Sequence, residues 1–412
     1  MGFESTAARY VPGGGAAWRD PWPAYAALRD NDPVHHVVPA GRPDHDFFVL
    51  SRHADVLAAA VDAATFSSAR GLTVEYDELD RIGLADNPPM VMTDPPVHTA
   101  FRRLVARGFT PRQVAELEPV VRAFVVERLE RLRATGGGDI VAELFKPLPS
   151  LVVAHYLGVP EPDRERFDEW SNTIIAVDSG APSEIADAAG ATVELMAYFT
   201  SLMERRRSEQ AAGAMRSDTI SHLVAALDPQ DGEAGSDAMA VLGFVFTMVT
   251  GGNETTTGLL GGALELLVDH PDQHEELVET PSLVPVAVEE MLRLTSPVQA
   301  LARTTTRDVE LHDTLVPAGR RVLLHYAAAN RDWRKYGADA EHLDIRRRPG
   351  QVLTFSQGHH HCLGAAAARL QARVTLEEIL DRVPHLTLDP DAIEWAPATY
   401  VRRPLTMPVS ID

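Results

Sequence analysis

Apolar residues recur at every third or fourth position through most of the chain beyond residue 52. ADVLAAAVDA (54–63), VHTAFRRLVARGF (97–109), VAELEPVVRAFVVERLERL (114–132) and DTISHLVAAL (218–227) all carry this spacing, which predicts helices with one buried face. Ahead of them, DPWPAYAALRD (20–30) predicts a short helix with prolines near its start. VHHVV (34–38) and FFVL (47–50), separated by PAGRPDHD, predict a β-hairpin. The polar stretch ALDPQDGEAGSD (226–237) reads as a loop, and 238–268 after it is the most apolar part of the chain. A helix over that span would run about 46 Å. Its purely apolar portion, AMAVLGFVFTMVTGG, is 15 residues long before Asn253 and Glu254 interrupt it. A membrane span needs about 20, so a helix through a protein core is expected.

Helices follow at 270–278, with Pro271 near the first position, and at 285–296, stopped by Pro297. Residues 301–330 alternate around an Asp/Gly turn and read as strands. Residues 336–350 show no period, and a last helix is expected over 363–383. Helix far outweighs strand, so the fold class is mainly α with a smaller β-rich region. No Pro/Ser linker divides the middle, so 1–18 is expected to be flexible and 19–412 to form a single domain.

Charge and cysteine usage narrow the partners. Lys and Arg number 38 against 59 Asp and Glu, a formal net charge of -21. That disfavours nucleic acid or an anionic membrane surface. The start, MGFESTAARYVPGGG, has no apolar stretch after a basic beginning, so no signal peptide or membrane anchor is expected. One cysteine rules out an internal disulfide framework and suits a reducing cytoplasm or a thiol kept for its chemistry.

That thiol, Cys362, lies in FSQGHHHCLG (355–364), directly before an alanine-rich helix. A helix N-terminus favours thiolate, and Gly358 and Gly364 allow close approach of a bulky group or positive φ. A small buried core cysteine is equally open on residue type. Zinc is disfavoured, because adjacent loop residues point different ways. A nucleophilic Cys–His pair is chemically sound, but nothing marks an oxyanion site for it. Three other stretches stand out. EEMLR puts Glu290 and Arg293 on one helix face. TGGNETTTG (250–258) sets glycines, an acid and hydroxyls in a helix interior, against local preference; close helix packing at Gly251 and Gly252 is the plainer reading. DPPVHTAFRRLV puts His98 and Arg102 one turn apart, and a solvated basic face is the plainer reading there.

Together these stretches resemble the cytochrome P-450 superfamily, in its soluble bacterial, actinobacterial form. Phe355, Gly358, His360, Cys362 and Gly364 match the haem-binding loop, and Ser356 departs from the commoner Gly. The resemblance implies the P-450 fold, a long central helix over a buried haem b, and Cys362 as axial thiolate, whose electron donation favours O–O cleavage. His98, Arg102, Arg303 and His360 would serve the haem propionates. Glu290, Arg293 and a third partner, Arg347 (with Asp344 three residues before it), would lock the haem-side core. Gly251, Gly252, Asn253, Glu254 and Thr255 match the oxygen-binding pattern. It implies that the helix loosens there, that Thr255 holds iron-bound oxygen and water, and that Glu254 feeds protons.

The implied activity is monooxygenation of a hydrophobic small molecule by dioxygen. Electrons would come from NAD(P)H through a ferredoxin and its reductase, since 412 residues hold no further redox module. Arg103, Arg107, Arg112, Arg369 and Arg373 would face that ferredoxin. The pocket would be lined by Leu72, Val74, Met90, Phe244, Val249, Gly251, Val298, Leu301, Thr399 and Tyr400, with Gln299 and Tyr400 offering polar contact. A peroxide-driven enzyme and a non-catalytic haem binder or sensor are the alternatives; retention of Glu254 and Thr255 argues against both.

Overall fold

The computed structural model describes residues 8–175, 181–214, 216–226 and 234–411. Its axis is a helix over Ala234–Asp269, 36 residues long. The expected loop at 226–237 therefore ends early: residues 227–233 lie outside the described residues, and the helix has begun by Ala234. Against this helix pack Pro147–Leu157, Val284–Thr295 and Ala365–Arg382, and the last of these also packs on Pro111–Ala134. Leu129, Tyr156, Leu260, Leu264, Met291 and Leu376 meet in the larger core that these helices enclose. A second core joins the first half of the long helix to Arg164–Ile175, Pro182–Ala211 and Thr219–Ala226.

The β-rich region is a five-stranded sheet in the order Val34–Val37, Phe47–Leu50, Arg321–Leu324, Leu301–Thr305, Phe66–Ser67. The expected hairpin is its antiparallel edge, with Val34 opposite Leu50 and Val37 opposite Phe47. Phe47–Leu50 and Arg321–Leu324 run parallel. Val309–Leu311 and Thr314–Val316 form the turn-linked pair read from 301–330. The strand reading fails at the end of that stretch. Tyr326–Ala329 is a helical turn capped by the His325 side chain, which accepts from the amide of Ala328.

The flexible reading of 1–18 also needs correction. Residues 1–7 lie outside the described residues, but Gly15–Trp18 is a helical turn whose Trp18 is 1% exposed. The indole donates to the carbonyl of Ala398, and the Gly15 amide to that of Ala396. An aromatic side chain of this size, seated under the C-terminal turn with its N–H satisfied, anchors the segment. Among the described residues no helix is long and apolar enough to cross a membrane.

Candidate active site

The cysteine loop is held by its own backbone. The Cys362 amide donates to the Phe355 carbonyl at 2.8 Å. Gly358 takes φ 69°, and a Cβ there would lie 3.0 Å from the Ala60 carbonyl, so both conformation and space require glycine. Gly364 has an ordinary φ of -83° and opens the helix Ala365–Arg382. Ser356 takes φ 56°, a conformation that glycine adopts freely and an L residue adopts at a cost of about 1–2 kcal/mol. Its hydroxyl accepts from Tyr326 at 3.3 Å.

Cys362 is accessible to solvent, yet burial is the main influence on its thiol and pushes its pKa up. The amides of Gly364 and Ala365, with Arg102 and Arg369, pull the pKa the other way. Next to the thiol, Leu363 packs on the core formed partly by Phe244, Val245 and Val249 of the long helix. The cysteine loop thus lies beside that helix.

His98, Arg102, Arg303 and His360 come together at the edge of the same loop. The rings of His98 and His360 are 4.3 Å apart. Arg102 donates to the His361 carbonyl at 2.5 Å. Among the described residues Arg303, 2% exposed, donates only to the carbonyl of Ala302. Both ring nitrogens of His98 and Nε2 of His360 are buried without a hydrogen-bond partner. Burial, then the neighbouring cations, pushes the His98 pKa down; burial, Arg303, His98 and Arg102 push that of His360 down to about 3. Unpartnered buried donors amid positive charge fit an anion. With an accessible thiol beside them, the residues fit haem, whose propionates and iron would supply the missing partners.

The long helix crosses 250–256 as continuous α-helix, so the expected loosening is not seen. The Thr255 hydroxyl donates to the Gly251 carbonyl at 2.8 Å, and Thr247 does the same to Gly243. Such back-bonding satisfies each hydroxyl inside a helix. Gly243, Thr247, Gly251 and Thr255 follow at four-residue spacing and are all partly or fully exposed, so they form one accessible stripe. The packing reading of the two glycines divides. A Cβ on Gly252 would meet Val153 at 2.8 Å, whereas one on Gly251 would meet nothing within 4 Å. Glu254 is 18% exposed and accepts at Oε1 from Nε and Nη2 of Arg403, both at 2.9 Å. No sequence signal pointed to Arg403.

Glu290, Arg293 and Arg347 meet as expected. Arg293 donates to both carboxylate oxygens of Glu290 at 2.8 and 2.7 Å, and Arg347 to Oε1 at 2.9 Å. Glu290 and Arg293 are 0% exposed. Arg293 also reaches the carbonyls of Asn330 and Ala340. Asp344 contributes through its backbone amide, which donates to Glu290.

Several pocket expectations need correction. Phe244 and Val249 are 2% and 0% exposed and pack within the second core, covered by apolar side chains of the neighbouring helices. Gln299 is buried and occupied: its amide donates to Thr295 and Ser296, and its oxygen accepts from Tyr25. Leu72, Val74, Met90, Val298, Leu301, Thr399 and Tyr400 are partly exposed. The Tyr400 hydroxyl accepts from the Val74 amide at 3.2 Å, tying the 72–74 loop to the C-terminal turn. A separate cavity of about 470 Å³, lined by Gln113, Glu116, His155, Tyr156, Arg216 and Asp218 among others, holds none of the site residues.

Fold and site together define a haem-thiolate protein. Residues 281–394 match the family described as Cytochrome P-450. The chain is 61% identical to cytochrome P-450 130 of Mycobacterium tuberculosis over 96% of each sequence. It is 36% identical to vitamin D(3) 25-hydroxylase of Pseudonocardia autotrophica, over 96% of this chain and 95% of that one. The solved structure of cytochrome P-450 CYP109Q5 from Chondromyces apiculatus aligns with TM-score 0.81 at 35% identity, over 96% of each chain. The chain belongs to the cytochrome P-450 family, as a monooxygenase with a haem-thiolate cofactor, dioxygen as co-substrate and a small molecule as substrate.

Proposed function

We propose that Cys362 is the axial thiolate of a monooxygenase that acts on a hydrophobic small molecule, with electrons from NAD(P)H through a ferredoxin and its reductase in the cytoplasm. The observation that carries this reading is the one thiol of the chain, set beside a cluster of His98, Arg102, Arg303 and His360 in which three imidazole nitrogens are buried without a hydrogen-bond partner. His98, Arg102, Arg303 and His360 hold the propionates. When bound, the haem supplies oxygen binding and O–O cleavage. Overall, RH, O2, two electrons and two protons give ROH and water. The protons are this chain's task. Thr255 Oγ1, anchored on the Gly251 carbonyl, presents its lone pairs to the accessible stripe and positions a proton-bearing water. The Glu254 carboxylate takes up protons from solvent and returns them to that water.

The substrate lies among Leu72, Val74, Met90, Val298, Leu301, Thr399 and Tyr400, next to Gly251. This lining is mostly apolar, and the named activity of the vitamin D(3) relative accords with a large apolar substrate. Absorption of the dithionite-reduced protein under carbon monoxide tests the ligand. A strongly red-shifted Soret band is expected, and its loss in Cys362→Ser. A shifted band that survives in the variant would refute Cys362 as ligand.

A further inference from the structure

The loop that carries Leu72 and Val74 is held from inside by two buried charges. Glu78 is 6% exposed. Its Oε2 accepts from the Leu72 amide at 2.9 Å, the Thr73 amide at 2.8 Å and the Thr73 hydroxyl at 2.7 Å. Gly71 makes room for it, since a Cβ there would collide with that oxygen. Arg321, 0% exposed, serves the other side of the same backbone. It donates to the carbonyls of Arg70, Gly71 and Glu75 and to the Thr304 hydroxyl. A buried charge is costly unless it is hydrogen-bonded. Here one loop satisfies both charges, with amides for the acid and carbonyls for the base. Burial lowers the Arg321 pKa, and Glu78 is first among the groups that raise it again.

The amides of the loop are taken up in sequence. After Leu72 and Thr73, the Val74 amide donates to the Tyr400 hydroxyl and the Glu75 amide to the Thr73 hydroxyl at 3.3 Å. The Leu72 carbonyl accepts from the Ala302 amide at 2.7 Å. Val74 and Tyr400 both pack on the sheet core around Val49 and Leu323. All four amides from Leu72 to Glu75 are thus bonded within the protein, and this stretch meets a ligand with side chains alone. A surface already in its bound form takes a ligand without the cost of ordering a loop.

We propose that Glu78 is a positioning residue for substrate selection, which locks Leu72 and Val74 into a preformed apolar wall rather than a flap that closes on the substrate. This rests on the pocket assigned above. The substrates that fit such a wall have an apolar face of matching shape and no polar group on the side turned to 72–75.

The test uses purified holoenzyme, with the red-shifted carbon monoxide band recorded for every variant. Imidazole and 1-phenylimidazole both bind haem iron and differ by one apolar ring. Their dissociation constants are read from the Soret shift in wild type, Glu78→Gln, Glu78→Ala and Tyr400→Phe. The ratio of the two constants isolates what the wall adds, because the iron bond is common to both. Wild type should prefer 1-phenylimidazole, and Glu78→Ala should lower that preference about tenfold with imidazole unchanged. Glu78→Gln, which keeps an acceptor oxygen, should retain most of it, and Tyr400→Phe should show a smaller fall. Stopped-flow binding rates of wild type should rise linearly with 1-phenylimidazole concentration. A plateau seen with 1-phenylimidazole and not with imidazole marks a closing step and would overturn the preformed wall. Equal weakening of both ligands in Glu78→Ala would show that the acid supports the haem pocket as a whole, which ends the selection role. An unchanged ratio in Glu78→Ala and Tyr400→Phe would remove both contacts from selection; if Glu78→Ala does not fold, Tyr400→Phe decides by the same ratio. Absence of the shifted carbon monoxide band in wild type would strike the thiolate assignment before the wall is at issue.

Discussion

Thr255 and His325 show how one side chain's surroundings decide what it can do. The Thr255 hydroxyl spends its proton on the Gly251 carbonyl, which leaves an acceptor fixed toward the accessible stripe. Thr255→Ala removes that acceptor and its water. NADPH consumption in the presence of substrate should continue while product falls and peroxide rises, measured as product and peroxide formed per NADPH. Unchanged coupling would exclude Thr255 from the path. His325 is 2% exposed, its ring 4.3 Å from that of Tyr25. Burial, then Arg29, lowers its pKa from 6.5 to about 3. The folded protein thus keeps His325 neutral, whereas the unfolded chain takes up a proton below pH 6.5. Its contribution to stability is complete above pH 6.5 and is lost as pH falls toward 3, with a slope of at most about 1.4 kcal/mol per pH unit. His325→Gln keeps an acceptor for the Ala328 amide and cannot titrate. Denaturant midpoints should fall less steeply with acid in this variant than in wild type.

Among elements, the helix Val284–Thr295 carries the largest concentration of buried charge. Glu290 answers two guanidinium groups, and Arg293 is surrounded by carbonyls with its guanidinium 4.9 Å from the Tyr336 ring centroid. Removing the acid strands Arg293 without its counter-charge. Glu290→Ala should cost about 3–5 kcal/mol in denaturant unfolding and reduce the haem retained on purification; a loss under 1 kcal/mol would show that the pair is dispensable.

The sequence allowed this much at element scale because spacing of three on a helix, and a pattern resembling a known family, name both residues and a third. It revealed the long helix through its apolar run, but not its start. Pro147–Leu157 carries no legible stripe because Leu148, Ser150, Val153, Ala154 and Tyr156 bury it around most of its circumference. Phe244 and Val249 read as pocket residues in the sequence because apolar residues at a core and at a cavity wall look alike in one dimension. Arg403 was illegible because its partner lies 149 residues away. Ser356 was visible as a departure from the family pattern, and its φ of 56° gives the reason glycine is commoner there.

At the scale of the whole molecule, the question is where electrons enter a protein of net charge -21. The five arginines expected on a docking face differ in freedom. Arg369 is held by Glu289 and lies over the Phe355 ring, and Arg373 is held by Glu118 and Glu377. Arg112 pairs with Glu116 but is 88% exposed. Arg103 and Arg107 are exposed and, among the described residues, have no ion pair. Charges held internally are already compensated, so Arg103 and Arg107 should carry most of the attraction to an acidic ferredoxin. Neutralising both to Gln should slow stopped-flow reduction several-fold at low salt, with the difference shrinking as salt rises. Equal rates at low salt would place the docking face elsewhere.

The seat of Trp18 under the C-terminal turn has a consequence for synthesis. Gly137–Asp139 pairs with Pro408–Ser410, and the Ile140 amide donates to Met407. Arg402 ties the Trp18 carbonyl to the long helix, and Arg403 ties that helix to the strand pairing around residues 394–406. Each of these contacts needs a residue from 402–410, and its partners lie as far back as Trp18 and Gly137. A chain emerging vectorially from the ribosome can complete none of them until residue 402 or beyond has cleared the exit tunnel. Closure over the haem-side core therefore falls after translation of that segment.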